Sequence, residues 1–185
     1  MTLSTSSLFR GELVKLSAPR EEDAEIMAKW EEDSEYLRNV DTDIALPHAK
    51  MQFEIEESPD PNEAYFRLRK MENDELIGFV VIHRIEWNNR AGFLAIGIGD
   101  SKNRNKGYGT EALQLILRFA FHELNLNRVS LDVIEYNKRA IHAYKKAGFQ
   151  HEGRMRAAVS RDGKRYDRII MGILCPEWED RYQVK

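Results

Sequence analysis

A single cysteine, Cys175, occurs in 185 residues. It cannot form an internal disulfide, and no multi-cysteine zinc or iron–sulfur site can be built around it. A reducing compartment is consistent with that count. No run approaches the roughly 18–20 apolar residues needed to cross a bilayer. The start, MTLSTSSLFRGELVKL, lacks the apolar core of about 7–15 residues that marks a secretory signal. A cytoplasmic protein with no membrane partner is therefore expected. An excess of positive charge is also missing: 28 Lys and Arg face 31 Asp and Glu, for a net charge of −3. Proteins that hold nucleic acid through its phosphates are usually basic, so no direct nucleic-acid partner is expected. There is no internal repeat, no low-complexity tract and no H-x-x-H or H-E-x-x-H spacing, so no metal is expected.

What is present suits a packed core. Hydrophobic residues make up 42% and aromatics 10%, enough to argue against disorder. The length fits one domain spanning 1–185, with a core from about 12 to 174. Glu12–Ala18 alternates as a strand. A helix follows, opened by Pro19 and acidic residues, with Ala24, Met27, Ala28 and Trp30 turned inward. The stretch from Asn39 to Pro61 reads as irregular, with one short helix around Ala49–Glu57. Ala64–Met71, Leu76–Trp87 and Ala91–Gly99 form a meander of antiparallel strands. Gly107–Asn125 is an amphipathic helix with Leu113, Ile116, Leu117, Ala120 and Leu124 on one stripe. Arg128–Tyr136 is a strand. Asn137–Phe149 is a helix capped by Asn137 and stopped by Gly148. The remainder is a hairpin turning at Asp162–Gly163.

The segment Arg104-Asn105-Lys106-Gly107-Tyr108-Gly109-Thr110 lies between an apolar strand and the long helix. A helix start has about four unpaired N–H groups and roughly half a positive charge. Glycines there let main chain approach an anion, so the segment reads either as a pyrophosphate site or as a flexible turn with solvated basic residues. Gly97 and Gly99 do not extend to a Rossmann fingerprint, because Lys102 stands at the third glycine position, and no Walker loop is present.

The segment GIGDSKNRNKGYGTEALQLILRFAF resembles the acyl-CoA loop of the GNAT-type N-acetyltransferase superfamily. The following pattern N-x-x-A-x-x-x-Y-x-x-x-G-F is matched by Asn137, Ala140, Tyr144, Gly148 and Phe149. The C-terminal EGRMRAAVSRDGKRYDRIIMGIL and the start LVKLSAPREEDAEIMAKW are similar to the branch with ribosomal-protein N-terminal (alanine/serine) and spermidine acetyltransferases. The resemblance covers about Glu12 to Leu174. It implies an α/β (α+β) fold with a central, mostly antiparallel mixed sheet splayed between strands 4 and 5, and helices on both faces. It implies acetyl-CoA as cosubstrate, with the pantetheine arm lying in the splay. Backbone groups of Ile98 and Gly99 would then bond that arm, and Arg104, Asn105, Lys106, Gly107, Tyr108, Gly109 and Thr110 would wrap the diphosphate. Asn137 would bond the cofactor, cap its helix, or do both. Tyr144 sits where the family has its general acid; without the motif, a core tyrosine is the simpler reading.

The expected reaction is acetyl transfer to a primary amine by direct attack in a ternary complex. The acceptor is a protein N-terminus of ribosomal type or a small amine, with a polyamine or an aminoglycoside as alternatives. A sensor without turnover and a ribosome-docking module using basic residues such as Arg139, Lys146 and Arg154 are the non-enzymatic readings. An alkylammonium with pKa near 10.4 is neutral in only about one part in a few thousand at pH 7, so a proton acceptor is wanted. Glu86 is the candidate placed in the catalytic set, with His83 and Asp132 as others and a water chain as a further route. His122, His142 and His151 read as surface or packing residues, and Cys175 as incidental. The acidic residues Glu31, Glu32, Asp33, Glu35, Asp41 and Asp43 either attract a cationic amine or form a solvated face. The N-terminal helices and the loop Asn39–Pro61 are expected to build the acceptor pocket, and a homodimer is left open.

Overall fold

A computed structural model describes residues 7–54 and 60–183. The part of the expected 49–57 helix that falls on residues 55–59 lies outside them; residues Lys50–Phe53 form a single 3-10 turn. The strands are β1 (Val14–Ser17), β2 (Ala64–Lys70), β3 (Leu76–Glu86), β4 (Ala91–Ile98), β5 (Arg128–Ile134), β6 (Gln150–Arg161) and β7 (Lys164–Leu174). The helices are α1 (Asp23–Trp30), α2 (Ser34–Val40), α3 (Tyr108–Arg118), α4 (Lys138–Ala147) and α5 (Cys175–Tyr182). No helix among the described residues is long and apolar enough to cross a membrane.

The strands form one sheet in the order β1-β2-β3-β4-β5-β7-β6. All neighbours are antiparallel except β4 and β5, which run parallel. That parallel pairing is short: Ala91, Gly92 and Phe93 match Arg128, Val129 and Ser130, and beyond them the strands part. The splay expected from the resemblance is therefore present. The β6–β7 turn has positive φ at both Asp162 (50°) and Gly163 (72°), as a two-residue primed turn requires.

Alternation of side chains divides the sheet into two faces. On one, Leu94, Val129, Leu131 and Val133 share a cluster with Leu113, Ile116, Leu117, Tyr144 and Trp178, so α3, α4 and α5 pack there. On the other, Phe79 and Leu76 meet Met27, Trp30, Tyr36 and Leu37 of α1 and α2. The long helix expected over 107–125 continues beyond α3 as a π-helical turn, Phe119–Glu123. The wider turn directs both Ala120 and Phe121 into the core. Two helices were not anticipated. The N-terminal helix is interrupted after Trp30, and Asp33 caps a separate α2 by accepting from the Glu35 amide at 2.8 Å. At the other end, α5 buries Trp178 and Tyr182.

Candidate active site

Where β4 and β5 separate, a cleft of about 590 Å³ opens, within the usual range for a small-molecule site. The ladders fix which main chain faces it. Gly99 donates to the Ile77 carbonyl at 3.0 Å, so odd-numbered β4 residues bond β3. Even-numbered residues Leu94, Ile96 and Ile98 then turn N–H and C=O toward the gap. Glu135 donates to Asp167 at 3.0 Å, which by the same logic points Asp132 and Ile134 main chain toward it from β5. Both sides of the V thus offer unused strand edges to an extended arm.

The loop before α3 supplies the next part. Asn105 (φ 60°) and Gly107 (φ 87°) are both left-handed, which turns the chain into the helix. The main-chain N–H groups of residues 105–110 donate to no group among the described residues. They open onto the cleft at the positive end of α3, together with the side chains that line it there. A Cβ on Gly109 would meet nothing within 4 Å. Lys106, Arg139 and Lys146 also line the cleft, and none is in an ion pair among the described residues. Successive free amides, an open approach and unpaired cations are what a diphosphate needs, so the residues present fit coenzyme A.

Other expected contacts are used differently. The Gly99 carbonyl accepts from Arg104 Nη2 at 3.1 Å and its amide is spent on β3, so neither faces the gap. The Gly99 Cα instead carries α1: a Cβ there would fall 2.0 Å from the Trp30 ring. Arg104 donates its amide to Ser101 at 3.0 Å, and its nearly buried guanidinium reaches Glu35 at 2.9 Å and Asp33 at 3.6 Å. It ties the loop to α2 while also lining the cleft. Lys102 pairs with Asp100 and Glu75 outside the cleft. Asn137 caps α4 by accepting from the Ala140 amide at 3.2 Å, and its Nδ2 donates to the Asn39 carbonyl at 3.4 Å.

Tyr144 lines the cleft from α4, its ring set edge-on to Phe149 at 5.9 Å. Burial raises its phenol well above the usual value near 10, and the negative charge of Asp132 adds to the shift. The hydroxyl stays protonated across the neutral range. It has no hydrogen-bond partner among the described residues.

The three proton-acceptor candidates separate. Glu86 is exposed and does not line the cleft. The β3–β4 register shifts between His83 and Glu86, where Arg84 is left-handed (φ 49°), and Glu86 pairs with Ala91, which is still paired with Arg128, so it lies on the closed side of the V. There the Glu86 carboxylate accepts from Asn89 Nδ2 at 2.6 Å within the β3–β4 turn. His83 and Asp132 do line the cleft, both on the α1/α2 face of the sheet. Cys175 opens α5 away from the cleft, and burial, with Glu179 beside it, raises its thiol pKa.

Several positioning residues carried no sequence signal. The Glu111 carboxylate accepts from the amides of Glu12, Leu13 and Val14 at 2.9, 2.8 and 2.7 Å, anchoring the start of α3 to the start of β1. The loop after α2 is held by the C-terminal hairpin. Arg161 donates to the Asp41 and Asp43 carbonyls at 3.2 and 2.9 Å, and Arg168 to Thr42 Oγ1 at 2.7 Å. Tyr136 donates to the Arg38 carbonyl at 2.8 Å. These partners lie about a hundred residues apart, beyond the reach of local pattern.

Comparison with known proteins agrees with this architecture. A family model described as an acetyltransferase (GNAT) domain matches residues 14–150. The SPbeta prophage-derived uncharacterized N-acetyltransferase YokL of Bacillus subtilis (strain 168) is 30% identical over 174 residues, covering 92% of this chain and 95% of that one. YdaF of the same organism, a ribosomal N-acetyltransferase by its provisional name, is 29% identical over 104 residues, 56% of each chain. Among solved structures, the spermidine N-acetyltransferase of Vibrio cholerae in complex with CoA and spermine superposes with a TM-score of 0.80 at 21% identity, covering 91% of this chain and 99% of that one. A cleft between parted strands, a helix start with free amides and the match over most of the chain lead to one assignment: this chain belongs to the GNAT family of N-acetyltransferases.

Proposed function

We propose that the protein moves an acetyl group from acetyl-CoA to a primary amine by direct attack in a ternary complex. The observation that carries this reading is the run of undonated amides at residues 105–110, opening onto the gap between β4 and β5. Bound there, the cosubstrate supplies an activated acetyl thioester. The chain does the rest. Residues 105–110 grip the diphosphate, while Lys106, Arg139 and Lys146 neutralise further negative charge. Leu94, Ile96 and Ile98 align the arm as an added strand. The Tyr144 hydroxyl donates a hydrogen bond to the sulfur as it gains charge.

The acceptor enters on the α1/α2 face, against the loop 39–43, His83, Arg84, Asp132 and Arg168. The carboxylates Asp41, Asp43 and Asp132 stand there beside two arginines, so the wall is close to balanced in charge. That suits a polypeptide N-terminus, which presents one ammonium among neutral amides, better than a bare polycation. A protein N-terminus is our first reading, and the provisional name of YdaF is in keeping with it. A polyamine is the second, favoured by the exposed Asp41 and Asp43 and by the spermine held by the Vibrio cholerae structure.

Thiol release from acetyl-CoA tests both. The panel is peptides with free alanine or serine N-termini, spermidine and spermine, and an aminoglycoside. Preference for peptides supports the first reading and preference for spermidine the second. Tight coenzyme A binding with no turnover on any amine would overturn the enzymatic reading.

A further inference from the structure

We propose that His83 accepts the proton lost by the attacking nitrogen. This rests on the acetyl-transfer reading of the cleft. The negative charge of Asp132 on β5, one strand beyond β4, adds to the basicity of the imidazole. His83 stands opposite Phe93 in the β3–β4 ladder, their rings 6.3 Å apart. Phe93 and Ser130 are the last paired residues of β4 and β5, so His83 flanks the apex of the V. Alternation puts it on the same face as Phe79 and the Gly97 site that packs on Val40 of α2. Tyr144 reaches the cleft from the other face. A nitrogen arriving past α2 meets His83, and a sulfur on the α4 side meets Tyr144. Acid and base are therefore separated by the thickness of the sheet, with the reacting carbonyl between them.

The charges around His83 are consistent with that role. Arg84 neighbours it on β3, and Asp132 and Asp41 act on it from β5 and from the loop after α2. Glu63 continues β2 opposite His83, and β4 presents only the neutral Phe93. Arg168 on β7 lies 3.4 Å from Asp132 and moderates its charge. Burial first, and Arg84 second, hold the imidazole below its usual value, so it is neutral and able to accept at pH 7. As the C–N bond forms, the carbonyl carbon releases the C–S pair to sulfur. The nitrogen's proton passes to a ring nitrogen of His83, the thiolate leaves hydrogen-bonded to Tyr144, and His83 returns its proton to water.

The test uses the preferred amine from the thiol-release panel. The kcat/KM profile from pH 5 to 9, divided at each pH by the neutral fraction of the amine, is measured for the wild type, His83→Gln and Asp132→Asn, with coenzyme A binding followed by calorimetry. NMR titration of the His83 imidazole is run on the ligand-free wild type and Asp132→Asn. His83→Gln should lose about 100-fold in kcat/KM and its acidic limb, with coenzyme A affinity unchanged. The wild-type acidic limb should coincide with the His83 titration, and Asp132→Asn should lower that midpoint. His83→Gln turnover within about threefold of wild type, with the acidic limb intact, overturns the proposal alone. If His83→Gln does not fold, a wild-type acidic limb more than about one pH unit from the imidazole midpoint overturns it instead. A wild type inactive on every amine sinks the acetyl-transfer reading and this assignment together.

Discussion

Tyr144 and Gly109 isolate two separable jobs. Tyr144→Phe keeps the ring that packs on Phe149 and removes only the hydroxyl. Its kcat should fall about 10- to 100-fold, with coenzyme A affinity unchanged in calorimetry; unchanged kcat would remove the hydroxyl from the chemistry. Gly109→Val adds a branched side chain where nothing stands within 4 Å, so the fold should hold. Coenzyme A binding should nonetheless weaken at least about tenfold, because that space is where the diphosphate must reach the main chain. Gly107 is a poorer probe, since its φ of 87° strains any other residue before a ligand is considered. At this scale the sequence was informative about type more than direction. The glycine pattern marked an anion loop, but Arg104 inside that pattern spends its guanidinium on α2. Its partners Asp33 and Glu35 are about 70 residues earlier in the chain. Glu86 missed the cleft for a different reason: its partner Ala91 lies where β4 and β5 are still paired, and no local pattern shows where two strands will part.

Among the elements, α2 is the one most dependent on distant support. Arg104 holds its first turn, and Arg161, Arg168 and Tyr136 hold the loop that follows it. Arg104→Met keeps the apolar stem and cuts the link to Asp33 and Glu35. The acceptor KM should rise about tenfold while the coenzyme A dissociation constant stays within about twofold, as expected when a wall shifts but the diphosphate amides do not. A loss confined to coenzyme A binding would return Arg104 to the phosphate. The meander β2–β3–β4, the amphipathic α3 and the caps of α4 were readable because each rests on neighbours in sequence. Neither α2 nor α5 was readable. The first is seven residues long and cut off from α1 by a turn that leaves composition unchanged. The second buries only Trp178 and Tyr182, too few for a periodic stripe. Insertion of β7 between β5 and β6 follows from long-range pairing that no local pattern records.

For the molecule as a whole, the titrating groups predict an asymmetric response to acid. Asp74 is held below the usual carboxylate range by hydrogen bonds from Arg20 and Lys15, Glu75 by Lys70, and Asp162 by Arg38. Their contribution is present above their unfolded values, near 4, and is lost as pH falls through the lower folded values. His83 has the opposite charge but the same sign of effect. Its folded pKa is depressed, so the unfolded chain takes up a proton first as pH falls through about 6.5, and stability drops there too. Thermal melts should show a plateau above pH 7, a shallow fall below about 6.5 and a steeper one below about 4. His83→Gln should erase the shallow step alone. A melt flat from pH 8 to 4.5 would contradict the depressed imidazole. The passage between β4 and β5 has one further consequence. Residues from both faces of the sheet line it, so under the acetyl-transfer proposal a hybrid inhibitor joining coenzyme A to an amine would thread the protein like a rivet. High concentrations of either natural reactant alone would contest only one of its heads, and its residence time should exceed that of both parts.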